Sequence, residues 1–156
     1  MKHVWYYEYP VGTIGIAEED SAISLVLFKG DKRLADIAKK ETPLIKKTAA
    51  QLKEYFEKKR KKFDIPLTLN GTDFQCSVWN ALQTIPFGET RSYKNIAEQI
   101  GNPKACRAVG LTNNRNPVVI IVPCHRVIGR DGSLTGYGGG LEAKQYLLNL
   151  EKNSTI

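Results

Sequence analysis

The spacing of apolar residues along the chain changes character twice. Val4 to Tyr9 is aromatic and extended, Pro10-Val11-Gly12 turns, and Thr13 to Ala17 runs back. Glu18 to Ser21 turns again, and Ala22 to Phe28 gives a third strand, so the opening reads as a β-meander. From Leu44 to Phe56 the period lengthens: Ile45, Ala49, Leu52 and Phe56 share one helical face. Thr72 with Gln75 forms a capping-box signature, and Phe74, Val78, Leu82 and Ile85 continue as an apolar helical stripe that Pro86-Phe87-Gly88 breaks. Ser92 caps a short helix through Ile100, which Gly101 ends. Asn102-Pro103 is expected to open the next helix, carrying Lys104, Arg107 and Val109. Helix, Gly-containing turn and basic helix outline a helix-turn-helix, although an ordinary helical hairpin fits the pattern equally well. Val118 to Val122 is β-branched and uncharged, so it is expected to be buried and extended, and Leu141 to Leu150 reads as a final helix. The division is a small β-rich N-terminal part, residues 1–70, and a mostly helical C-terminal part, residues 71–156.

Composition narrows the class without naming a function. The 156 residues are 42% hydrophobic and 25% charged, as in a globular protein, and no apolar stretch nears the roughly 20 residues of a membrane span. Met1 to Trp5 runs directly into strand-like sequence, so no signal peptide is expected. Three cysteines, Cys76, Cys106 and Cys124, show no C-x-x-C spacing. Neither a disulfide framework nor a metal site is expected, and a reducing, cytoplasmic setting is. The net charge of +7 is compatible with a polyanionic partner. Lys58-Lys59-Arg60-Lys61-Lys62 reads as a solvated connector.

The candidate chemistry lies at Pro123-Cys124-His125-Arg126-Val127. A thiol where a buried segment stops at a Pro-fixed turn sits in a restricted place, and an adjacent imidazole can help ionise it. For the Cys-His pair alone, an inert buried cysteine beside a surface histidine is the favoured reading. The flanks add weight. Asn113 to Pro117 is polar and turn-forming, Gly136-Tyr137-Gly138-Gly139-Gly140 lets backbone approach a flat ligand, and the last helix carries Glu151. A carboxylate returning to His125 completes a Cys-His-Glu relay.

These residues resemble the O6-alkylguanine-DNA alkyltransferases, from about Phe74 to Glu151. Ile121 to Val127, Pro86 to Tyr93, Arg107-Ala108-Val109-Gly110 and Asn116-Pro117 stand at that family's spacings. The resemblance implies an α+β chain, with a ribonuclease-H-like sheet and helix followed by a helical domain with a winged-helix-like helix-turn-helix. It implies repair of O6-alkylguanine, with O4-alkylthymine as a further candidate, by irreversible transfer of the alkyl group to Cys124. By the same resemblance His125 draws off the thiol proton through a water, Glu151 orients His125, Asn116 braces the turn, and Tyr93 protonates the departing base. Arg107 fills the hole left by the flipped nucleotide, with Lys104, Ser92, Asn113 and Arg126 on the DNA-binding surface. Val127, Tyr137, Gly138 and Gly139 line the base pocket; Gly138 stands where some relatives carry Ser. No cofactor, no zinc and no membrane are implied, and the partner is duplex DNA met by a monomer, in the nucleus if the source is eukaryotic. The rivals are a Cys-His-Glu hydrolase or acyltransferase and a non-catalytic lesion sensor.

Overall fold

A computed structural model describes residues 1–134, 136–137 and 139–153. The chain divides into two compact units, one spanning Met1–Asn70 and the other beginning at Gly71.

In the first unit, β1 (Lys2–Tyr9), β2 (Gly12–Glu19) and β3 (Ala22–Phe28) form an antiparallel meander. β4 (Ala38–Lys39) adds in parallel to β1, giving the order β3-β2-β1-β4. α1 (Pro43–Phe56) starts where Thr42 caps the Ile45 amide and Pro43 presets the first turn. Its apolar face, Ile45, Leu52 and Tyr55, is fully buried, as are Ile14, Ile16 and Val26 of the sheet. The basic run is more than a loose connector: Arg60 pairs with Glu54 and donates to the Lys62 carbonyl.

The second unit is helical. α2 (Asp73–Leu82) begins with the reciprocal Thr72–Gln75 capping box. β5 (Arg91–Ser92) leads into α3 (Tyr93–Gln99), which Ser92 caps. Gly101 then takes a left-handed φ of 79°, a conformation that only glycine adopts without strain. The expectation that Asn102-Pro103 opens the next helix fails. The Ala105 amide bonds back to Asn102 in a tight turn, and α4 (Cys106–Asn114) starts only when the Val109 amide reaches the Ala105 carbonyl. α3 and α4 make the helix-turn-helix, and α2 packs on both. The Trp79 indole donates to the Thr112 carbonyl at 3.1 Å and so fixes the rotation of α4. β6 (Val127–Ile128) pairs in parallel with β5, and α5 (Leu141–Lys152) closes the unit. Among the described residues no helix is long and apolar enough to cross a membrane.

The second correction concerns residues 118–122. All but the half-buried Ile121 are buried, yet the segment is not extended: the Val122 amide bonds to the Val118 carbonyl, and Ile120 has a φ of 73°. A β-branched residue in the left-handed region is strained, and its burial among apolar neighbours holds it there. A sheet partner is what a run of branched residues needs to stay flat, and among the described residues this run makes only a single bridge, between Val119 and Val122.

Candidate active site

The turn ends directly in a 3-10 turn, Cys124–Arg126. Asn116 ties the preceding loop into a closed unit: its Oδ1 accepts from the Val118 amide at 3.0 Å and its Nδ2 donates to the Val122 carbonyl at 2.6 Å. Asn113, from the end of α4, donates its Nδ2 to the Cys124 carbonyl at 3.3 Å. Cys124 therefore sits on backbone held from both sides, and it is itself buried.

α2 and α5 flank the 3-10 turn. From α5, the Glu151 carboxylate accepts from His125 Nε2 at 2.6 Å, Arg126 Nε at 2.8 Å, Arg126 Nη2 at 3.0 Å and the Gly88 amide at 3.1 Å. Burial raises the carboxyl's pKa, but the hydrogen bonds and charges of His125 and Arg126 outweigh it, so Glu151 stays ionised well below the usual carboxylate range. His125 is 0% exposed, and burial pulls its pKa down against the opposing pull of Glu151. A neutral ring that donates from Nε2 to a carboxylate carries its free lone pair on Nδ1. That atom is buried, with no hydrogen-bond partner among the described residues. It is a base waiting for a proton.

The remaining expected residues fall into three groups. Lys104 and Arg107 are exposed, on the outer face of α4 and its approach. Ser92 caps α3 through its hydroxyl, and the Tyr93 ring lies against Gly110, where an added Cβ would stand 3.8 Å away. Val127 is buried in register with Arg91, which ties the start of α3 to the cysteine segment. Tyr137 is half-buried, and burial together with the negative charges of Cys124 and Glu151 drives its hydroxyl pKa well up. Gly139 is half-buried, and Gly138 lies outside the described residues.

Two expectations need correction. Arg126 is only 6% exposed: two of its nitrogens hold Glu151, and Nη1 donates to the Ile85 carbonyl at 2.7 Å. A guanidinium so committed cannot also reach a phosphate, so Arg126 braces the carboxylate. Asn113 is likewise buried, turned inward beneath Cys124 instead of out toward DNA.

The second unit, residues 73–153, matches the model of the 6-O-methylguanine DNA methyltransferase DNA-binding domain, and residues 3–69 match that of the same proteins' ribonuclease-like domain. This chain belongs to the 6-O-methylguanine DNA methyltransferase family. A methylated-DNA–protein-cysteine methyltransferase of Methanosarcina acetivorans is 51% identical over 148 residues, covering 93% of this chain and 95% of the relative. The constitutive one of Bacillus subtilis is 48% identical, covering 99% and 98%. Among solved structures, the O6-methylguanine methyltransferase of Mycobacterium tuberculosis superposes with a TM-score of 0.93 at 44% identity, over 100% of this chain and 96% of that one. Its complex with DNA gives 0.91 at 46% identity, over 97% and 94%.

In this member of the methyltransferase family, sequence reasoning missed Lys144. It lies seven residues before Glu151 on α5, hence on the same inward face about 10 Å away, and is 0% exposed. Burial lowers its pKa to about 8, and the charge of Cys124 pulls the other way. The signal was present: a lysine in phase with Ala143, Leu147 and Leu150 stands on the apolar side of the helix.

Proposed function

We propose that this chain repairs O6-alkylguanine in duplex DNA by moving the alkyl group, once and irreversibly, onto Cys124 Sγ. The observation that carries the reading is the open Nδ1 of His125, buried on the residue next to Cys124 while Nε2 is locked onto Glu151. The O6 atom lies inside the base stack, so the nucleotide is first extruded, at a cost of a few kcal/mol. α4 docks on the duplex with Lys104, and Arg107 occupies the vacated space.

Once the base is in the pocket, His125 Nδ1 takes the Cys124 proton through a water, and Glu151 stabilises the resulting imidazolium. Lys144 supplies a positive charge opposite the sulfur. Sγ attacks the saturated carbon, the carbon–O6 bond breaks, and its electron pair passes into the guanine ring. Tyr93 protonates a ring nitrogen, so that the base leaves neutral, and the proton taken by His125 restores Tyr93 by way of solvent. Tyr137 and the Gly139 backbone line the base, and the chain between Asn116 and Val127 keeps the sulfur in place. The product is a thioether, which water does not cleave under mild conditions, so each chain acts once. The same reading has a cytoplasmic monomer acting on a methylated duplex.

Intact-protein mass spectrometry after incubation with a methylated duplex tests this directly. One added methyl on Cys124 that is never lost, and none on Cys124→Ser, is expected. Continued turnover with unmodified protein would refute it and favour a hydrolase.

A further inference from the structure

α4 presents Arg107, Ala108, Leu111 and Asn114 on one exposed face, with Lys104 before it and Arg115 after it. Leu111 is 60% exposed in the middle of that face. The helix has no freedom to turn it inward: Val109, Thr112 and Asn113 are buried on the other side, Trp79 holds the Thr112 carbonyl, and Asn113 holds the Cys124 carbonyl. A lone exposed leucine is ordinary on a protein surface. This one stands one turn beyond Arg107 and one turn before Arg115, both exposed. A partner that offers phosphates at the rim and apolar sugar and base-edge surface between them matches that mixture, and duplex nucleic acid has both.

We infer that Leu111 is an apolar wedge that packs against sugars and base edges beside the extruded nucleotide and holds the groove open there. The inference rests on the repair reading and deepens it. Four residues of helix advance about 6 Å, so Leu111 meets the duplex close to two base steps of about 3.4 Å each from the gap that Arg107 fills. Branched aliphatic side chains are used in this way where proteins pry neighbouring steps apart. Arg107 then fills the hole while Leu111 keeps its edge from closing.

The test compares wild type with Leu111→Ala, Leu111→Met and Leu111→Lys. Affinity for a methylated duplex is measured across a salt series, and alkyl transfer is measured from free O6-benzylguanine. Leu111→Ala should bind the duplex about tenfold more weakly, with an unchanged salt slope, because no phosphate contact is lost. Leu111→Met should stay near wild type. Leu111→Lys should lose at least as much as Leu111→Ala despite its added charge. All three should react with the free base at the wild-type rate, which checks both the fold and the chemistry at Cys124. Wild-type affinity of Leu111→Ala, or tighter binding by Leu111→Lys, overturns the wedge. Failure of the wild type to take up alkyl from either substrate sinks the repair reading instead, and the affinity series still decides the wedge.

Discussion

Replacing Glu151 by Gln separates what the carboxylate does for the fold from what it does for the chemistry. Four donors converge on it: His125 Nε2, two nitrogens of Arg126 and the Gly88 amide. A glutamine keeps one accepting oxygen and turns an N–H group toward one of these donors, while the buried Arg126 guanidinium loses its counter-charge. Removing one member of a buried pair typically costs about 3–5 kcal/mol. Arg126 keeps the Ile85 carbonyl and the Phe87 ring, which lies 5.8 Å from the guanidinium carbon, so the lower end, about 3 kcal/mol, applies. Against a total stability of about 5–15 kcal/mol that is a large fraction. Urea unfolding should show it as a lower midpoint with an unchanged slope. Glu151→Gln with Arg126→Met removes both charges and should recover most of the loss, since a buried pair is often replaceable by apolar groups. Single-turnover alkyl transfer should fall about 10²–10³-fold in both variants, because neither fixes the His125 tautomer nor stabilises the imidazolium. A single variant within about 1 kcal/mol of wild type, or a double variant that regains the rate, would refute the reasoning.

Three further outcomes follow from the same geometry. Arg107→Ala should slow repair of duplex DNA far more than reaction with the free base, where no nucleotide is flipped; equal losses would remove its place in the duplex. Lys144→Met should slow free-base alkyl transfer most below pH 8, where the wild-type amine is charged, with the two rates converging above it; a ratio independent of pH would refute the counter-charge. His125 has a folded pKa below its ordinary value, so the unfolded chain binds the extra proton. Stability should therefore fall as pH drops below about 6.5, and fall further below about 4.5 as unfolding protonates Glu151. A urea midpoint that stays flat from pH 7 to pH 4 would count against a neutral buried ring.

What the sequence made legible was local. Thr72 with Gln75, Ser92 and Gly101 mark helix ends because capping depends on residues three or four apart, and each sits in the structure where the pattern put it. The cysteine motif and its family were readable for a similar reason, since the chemistry is concentrated in a few consecutive residues. Illegible was which polar side chains turn inward. Arg126 and Asn113 look like surface residues by type, and only the elements packed around them decide otherwise. The 3-10 turn of Cys124–Arg126 points its three side chains in different directions, and all three are buried because α2 and α5 enclose it. Residues 118–122 misled for the opposite reason: their branched side chains announce burial correctly, but burial alone does not choose between strand and turn, and Asn116 closes the turn.

That enclosure bears on why such a protein acts only once. The Cys124 backbone, held at its carbonyl by Asn113, preceded by the turn clasped through Asn116 and packed against α5, fixes where the buried sulfur starts from. The fixed geometry favours a displacement that needs attack along one line on a saturated carbon. The proposed relay offers no corresponding path for removing the product, because it would accept a proton from the thiol and the thioether has none to give. The same confinement explains why the positive charge of Arg126 was drawn inside. A carboxylate that must stay ionised beside a base of low pKa needs a second, permanent cation, and arginine is the side chain whose charge survives burial at any working pH.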